Sequence, residues 1–85
     1  MDMASYRNRR AGDLIRELRV DAGLSPEALA HAIYSEKLGS ISGRTIRRIE
    51  QTGAVPSPRV QFAIAQFFDR LPSEIWGKPR RKVAA

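Results

Sequence analysis

The chain contains no cysteine and a single histidine among its 85 residues. Without cysteine, neither a disulfide framework nor a thiolate-ligated zinc site can form. His31 has no second imidazole to share a metal ion with, so a histidine-based metal centre is also excluded. We therefore expect a protein of a reducing compartment that uses no metal and no other cofactor.

Long apolar runs and catalytic patterns are missing as well. No apolar run approaches the roughly 20 residues that a membrane-spanning helix needs, and the first ten residues lack the apolar stretch of a secretion signal. The sequence has no phosphate-cradling glycine loop, no paired carboxylates and no Ser/His/Asp arrangement. We expect one small cytoplasmic domain that is not an enzyme and has no membrane partner.

The net charge of +6 is carried by the two ends of the chain. Residues 1–10 have three arginines against one aspartate, and residues 77–85 have four basic residues and no acidic one. Residues 11–76 hold eight basic and eight acidic residues, so their charges cancel. Basic ends around a neutral centre favour a polyanionic partner, first of all nucleic acid.

Periodicity divides the chain into a flexible basic N-terminal arm (1–9), a folded domain (10–77) and a basic C-terminal tail (78–85). Five segments of the domain have helical periodicity and none has the alternation of a strand, which predicts an all-α fold. The predicted helices begin at about Arg10 and near Ser25, Ser42, Ser57 and Pro72. Glycines close three of them, at Gly23, Gly53 and Gly77.

Two features of this pattern leave alternatives open. After Ile33, the second helix either continues to Gly39 or ends near Tyr34 and leaves a loop. The aromatic side chains suit stacking on single-stranded nucleic acid, but their helical spacing favours a core position; they are Tyr34, Phe62, Phe67, Phe68 and Trp76. If Phe67 or Trp76 is exposed, helices four and five offer an apolar homodimer surface.

The third helix, within SGRTIRRIEQTG at residues 42–53, is the strongest candidate for function. Ile46 and Ile49 are three residues apart and share one face, while three arginines, at 44, 47 and 48, project from other sides. Arginine binds phosphate oxygens and the O6/N7 edge of guanine through two parallel hydrogen bonds. The helix therefore has an apolar edge for docking and a cationic side for an anion.

These segments resemble the Cro/C1-type (XRE) helix-turn-helix family, which includes lambdoid phage repressors and Cro proteins. IRELRVDAGLSPEALA resembles the first two helices and their junction, SGRTIRRIEQTG resembles the recognition helix, and PRVQFAIAQFFDRLPSEIW resembles the closing pair. The resemblance covers roughly residues 13–76. It implies a five-helix, lambda-repressor-like DNA-binding domain with a helix-turn-helix.

The resemblance also implies roles for individual residues. Arg19 and Glu50 would form a structural ion pair that joins helices one and three. The residues expected to contact bases are Arg44, Arg48, Thr45 and Gly43. The residues expected to contact the DNA backbone are Arg47, Ser42, Ser25, Arg59 and Thr52.

The sequence departs from the family pattern at two residues and in one connection. Gly43 offers only backbone where relatives often have a polar side chain, and Pro26 stands where many have a phosphate-binding glutamine. The connection between helices two and three is about six residues longer than the usual short turn of this motif. We expect an enlarged turn or an extra helical turn there.

The resemblance implies a sequence-specific double-stranded DNA-binding transcriptional regulator, a phage or bacterial repressor located with the nucleoid of the cell. No small-molecule effector is expected. The alternative hypothesis is an antitoxin-like or adaptor module that binds a protein partner, with DNA binding secondary. A third hypothesis is an RNA- or ribosome-associated helix-turn-helix protein.

Overall fold

The computed structural model describes residues 7–77, which form five helices. They are α1 (Arg9–Asp21), α2 (Pro26–Ser35), α3 (Gly43–Thr52), α4 (Pro58–Phe67) and α5 (Pro72–Trp76). The described residues form no strand, and only a single antiparallel bridge joins Arg7 to Ala54. This confirms the all-α prediction. Residues 1–6 of the predicted arm and the predicted tail at 78–85 lie outside the described residues.

Side-chain caps start four of the helices, because each satisfies a backbone N–H that the first turn leaves without a partner. The hydroxyls of Ser25, Ser42 and Ser57 accept from the N–H three residues ahead, at 3.0, 3.1 and 3.5 Å. The side chain of Asn8 caps α1 in the same way, at 2.9 Å from the Ala11 nitrogen. The structured domain therefore begins at least two residues before the predicted boundary at residue 10.

Three helices end in a Schellman motif, in which a left-handed residue follows the helix. These residues are Gly23, Lys37 and Asp69, with φ of 74°, 60° and 58°. In each case the N–H of the next residue donates to the carbonyl five residues back, at 2.9 to 3.1 Å. The predicted end at Gly23 is confirmed, whereas the other two motifs use residues with a side chain.

The Schellman motif at Lys37 settles the course of the chain after Ile33. Helix α2 ends at Ser35 and does not continue to Gly39. Residues 36–42 form an enlarged turn without an extra helical turn. Helix-turn-helix motifs commonly have three or four residues here, so the connection is longer by about three or four residues and not by the predicted six. Leu38 and Ile41 in this turn are half-buried and pack against the core.

The core is aliphatic and is centred on α3, which packs against both α1 and α2. Helices α4 and α5 contact each other and close the core, α5 against α1 and α4 against α2. The buried side chains among the described residues are Ala11, Ile15, Leu29, Ala30, Ile33, Ile46, Ile49, Ala63, Ile64, Ala65 and Ile75. Within residues 7–77, no helix is long and apolar enough to cross a membrane.

The aromatic side chains divide into two groups, and the favoured core position was wrong for Tyr34 and Phe62. Tyr34 and Phe62 are 66% and 57% exposed. Each lies at the edge of the buried face of its helix: Tyr34 is about 100° around α2 from Ile33, and Phe62 is about 100° around α4 from Ala63. Phe67, Phe68 and Trp76 are half-buried against the core.

A groove of about 440 Å³ lies between α1 and α5. Its lining includes the carboxylates of Asp13, Glu17 and Glu74 and the indole of Trp76. The indole Nε1 is enclosed and has no hydrogen-bond partner among the described residues. At the end of this groove, the Asn8 amide donates to the Trp76 carbonyl at 3.2 Å, which joins the start of α1 to the end of α5.

Candidate nucleic-acid interface

Helix α3 has a buried edge and a cationic exposed side. Ile46 and Ile49 are buried, with at most 2% of either residue exposed. Arg44, Arg47 and Arg48 are all exposed. The 3.6-residue period of the helix separates the two sets, so burial of the isoleucines directs the guanidinium groups outward. The enlarged turn does not cover them.

Arg44 and Arg48 are four residues apart and therefore lie one above the other on the helix surface. Within residues 7–77, neither takes part in an ion pair. Thr45, between them in sequence, is half-buried, and its hydroxyl lies 3.1 Å from the Ser42 hydroxyl. The N-terminal cap and first two turns of α3 thus include two guanidinium groups and two hydroxyls.

Arg47 differs from the other two arginines because it forms an ion pair with Glu27, the second residue of α2. The pair is solvent-exposed, with 48% of the Arg47 side chain and 57% of the Glu27 side chain accessible. Exposed ion pairs are weak, at about 0 to 1 kcal/mol. The sequence predicts a DNA-backbone contact for Arg47 but not its pairing with Glu27.

Gly43, the first residue of α3, lies directly against Glu27. A Cβ at this position would be 3.0 Å from the Glu27 Cγ and 3.1 Å from its Cα. The glycine therefore allows α2 and α3 to approach closely. Because the missing side chain would point toward α2, any contact of Gly43 with a base would involve its backbone alone.

Arg19 and Glu50 form a two-pronged ion pair that fastens α1 to α3. Arg19 Nε and Nη2 donate to the two carboxylate oxygens at 2.7 and 2.8 Å, and Nη1 donates to the Leu24 carbonyl at 2.7 Å. The side chains are only 11% and 6% exposed. Loss of one partner from a buried pair costs about 3 to 5 kcal/mol, so this contact fixes the orientation of α3.

Its hydrogen bonds with Glu50 raise the pKa of Arg19, while burial alone would lower it. A raised pKa means that the stabilisation is fully present below the ordinary pKa of arginine and is lost only as the pH rises through the raised value. That loss falls in strongly alkaline solution. Arg19 therefore stays charged at every pH relevant to the cell.

The remaining predicted backbone contacts occupy different parts of the domain. Ser25 and Arg59 are exposed in the first turns of α2 and α4, where helix N-termini favour an anion. Thr52 lies at the other end of α3, and its hydroxyl donates to the Arg48 carbonyl at 2.7 Å. A phosphate contact by Thr52 would require this hydrogen bond to break.

The contacts at the C-terminal end of α3 are not predicted by the sequence pattern. Arg9 and Arg7 donate to the Gln51 and Thr52 carbonyls at 3.0 and 3.4 Å. Cations stabilise the negative end of a helix dipole. These two arginines therefore stabilise the fold in addition to contributing to the net charge. The signal available in the sequence was their position just before α1, the helix that packs on α3.

Helices α2 and α3 pack against each other, are joined by a turn, and present the cationic side of α3 to solvent. Helix-turn-helix domains use this arrangement to place a helix in a DNA groove. Residues 10–75 match the family model described as a helix-turn-helix domain. The chain belongs to this helix-turn-helix family. Comparisons with curated proteins and with solved structures give no significant match. Helix-turn-helix domains are DNA-binding modules, which makes DNA the implied partner.

Proposed function

We propose that this helix-turn-helix domain is a sequence-specific double-stranded DNA-binding regulator of the Cro/C1 (XRE) type. Helix α3 enters the major groove as the recognition helix. The protein represses transcription in the cytoplasm of a bacterial cell or phage-infected host, because its occupation of an operator excludes other proteins. The observation that supports this most is the exposure of Arg44 and Arg48 on a helix locked from behind by the Arg19–Glu50 pair.

The spacing of the two arginines suits base recognition. Four residues along an α-helix correspond to about 6 Å, and base pairs are stacked about 3.4 Å apart. Arg44 and Arg48 can thus reach base pairs one or two steps apart. Each bidentate contact with a guanine discriminates against a wrong base by about 1 to 3 kcal/mol.

The first test is selection of bound sequences from a random duplex pool, followed by affinity measurements on the enriched site. Arg44→Ala and Arg48→Ala should each weaken binding to that site by about 1 to 3 kcal/mol and change binding to an unrelated duplex little. Fluorescence anisotropy at one fixed salt concentration measures both affinities. Raising the salt should weaken binding steeply, because phosphate contacts release counterions.

Arg16→Ala is the matched control, since Arg16 is exposed on α1 and carries the same charge. It should leave the affinity for the enriched site close to that of the wild type. Unchanged binding by both recognition-helix variants would show that α3 does not read the bases. If the pool yielded no enriched sequence, the domain would not be a sequence-specific DNA binder.

We also propose that the protein acts as a homodimer through α4 and α5. Phe67 and Trp76, on which the predicted surface depended, are half-buried, whereas Phe62 on α4 and Leu71, the residue before α5, are 57% and 63% exposed. A contiguous exposed apolar patch marks an interaction surface, and we propose that these two side chains belong to one. Dimers of helix-turn-helix domains bind two half-sites about one turn of DNA apart, so dimerisation would double the length of sequence recognised.

A further inference from the structure

The Glu27–Arg47 ion pair connects the two helices of the helix-turn-helix on its exposed side. The only other ion pair within residues 7–77, between Arg19 and Glu50, is largely buried behind α3. Of the three exposed arginines of α3, Arg47 alone faces a carboxylate. The carboxylate cancels one of the three positive charges that α3 offers to an anion.

The Glu27 carboxylate lies directly against Gly43. A Cβ on Gly43 would be 3.0 Å from both Cγ and Oε2 of Glu27, so the carboxylate rests against the first residue of α3. That end of the helix is the one that our proposed function brings closest to DNA. A phosphate that approached Arg47 would meet the negative charge of Glu27 at the same place.

We infer that Glu27 withholds Arg47 from DNA phosphates and so lowers the overall affinity of the domain for DNA. This inference rests on the proposed function. Phosphate contacts strengthen binding to every sequence equally, whereas base contacts discriminate between sequences. By occupying Arg47, Glu27 lowers the affinity for any duplex and leaves the base contacts of Arg44 and Arg48 in place. The affinity for every duplex therefore falls by the same factor, and the discrimination made by the base contacts is unchanged.

The test compares wild type with Glu27→Gln on a duplex of arbitrary sequence over a range of salt concentrations. One additional phosphate contact should steepen the slope of log K against log salt by about 0.9 and tighten binding roughly five- to tenfold at about 0.1 M salt. Glu17→Gln is the matched control, because it makes the same change of charge in the groove between α1 and α5. Its slope should stay that of the wild type.

Arg47→Ala identifies the group that gains the contact. In the wild type it should leave the salt slope unchanged, because Arg47 makes no phosphate contact there, and in the Glu27→Gln background it should abolish the gain. Urea unfolding of each variant provides a second readout, since a purely structural role for Glu27 would lower both stability and affinity.

Two results would overturn this inference but not the proposed function. One is a salt slope of Glu27→Gln equal to that of a wild type that binds DNA. The other is a gain in affinity that persists when Arg47 is also replaced. A wild type without salt-dependent duplex binding would overturn the proposed function together with this inference.

Discussion

At the scale of single residues, Gly12 sets the distance between α1 and α3. A Cβ at this helical position would lie 2.5 Å from the Ile49 carbonyl oxygen and 3.5 Å from the Glu50 Cα. The nearest obstacle is backbone, which cannot turn aside as a flexible side chain can. The two helices can approach this closely only with glycine at this position.

Gly12→Ala should therefore destabilise the domain, although alanine is favoured over glycine by about 1 kcal/mol in an ordinary helix. Relief of the clash requires α1 and α3 to move apart and disturbs the Arg19–Glu50 pair. We expect a net loss of about 1 to 3 kcal/mol in the free energy of unfolding, as for other overpacked sites. Urea denaturation followed by circular dichroism measures it.

Gly43→Ala serves as the comparison, because two of the three atoms that its Cβ would approach belong to the exposed Glu27 side chain. That side chain can rotate away, so the loss should be smaller than at Gly12. A gain in stability for Gly12→Ala would mean that the two helices are not held at this separation.

The sequence predicts the position of some residues of the site but not the contacts of others. The outward projection of Arg44 and Arg48 follows from helical period alone, since Ile46 and Ile49 identify the buried edge. The partner of Arg47 and the tight approach at Gly12 depend on how separate helices cross. That geometry is set by packing between residues distant in sequence, so no local pattern contains it.

At the scale of elements, the end of α2 has an unusual residue in its Schellman motif. Lys37 adopts φ of 60°, a conformation that glycine adopts at no steric cost and that costs other L-residues roughly 1 to 2 kcal/mol. The N–H of Leu38 donates to the Ile33 carbonyl, and Leu38 packs against the core. These contacts hold Lys37 in its left-handed conformation.

Lys37→Gly should stabilise the domain by about 0.5 to 1 kcal/mol, since the steric cost outweighs the extra entropy of glycine in the unfolded chain. Lys37→Ala removes the same charge but keeps a Cβ, and it should give no such gain. Thermal unfolding of the three proteins at one pH tests the difference. Equal stability of the glycine and alanine variants would show that the turn relaxes this backbone conformation.

Helix starts were predictable from the sequence, but the end of α2 was not. Ser25, Ser42 and Ser57 cap their helices through hydrogen bonds to residues only three positions away, which makes them local signals. The left-handed position after α2 is held by lysine, and the nearest glycine, Gly39, lies two residues beyond it. A rule that looks for glycine therefore leaves the end of this helix undetermined.

At the scale of the whole molecule, the exposed apolar side chains decide how copies of the domain associate. If α4 and α5 form the homodimer surface, Phe62→Ser should shift the protein from dimer to monomer in sedimentation equilibrium. It should not lower the stability of the monomer, because Phe62 contributes little to the core. The enriched DNA sites should contain two half-sites about 10 base pairs apart.

Val20→Ser is the control for dimerisation, since Val20 on α1 is also 55% exposed but lies outside α4 and α5. It should leave the dimer intact. A wild type that stays monomeric at every concentration, or a dimer that tolerates Phe62→Ser, would place self-association elsewhere or exclude it.

The indole of Trp76, half-buried between α1 and α5, gives the domain an optical reporter of its own. The chain has one tryptophan, so its fluorescence arises from a single known place. When α5 separates from α1, water reaches the ring and the emission moves to longer wavelength. Detachment of this last helix can therefore be followed without a label, separately from the loss of helical signal in the rest of the chain.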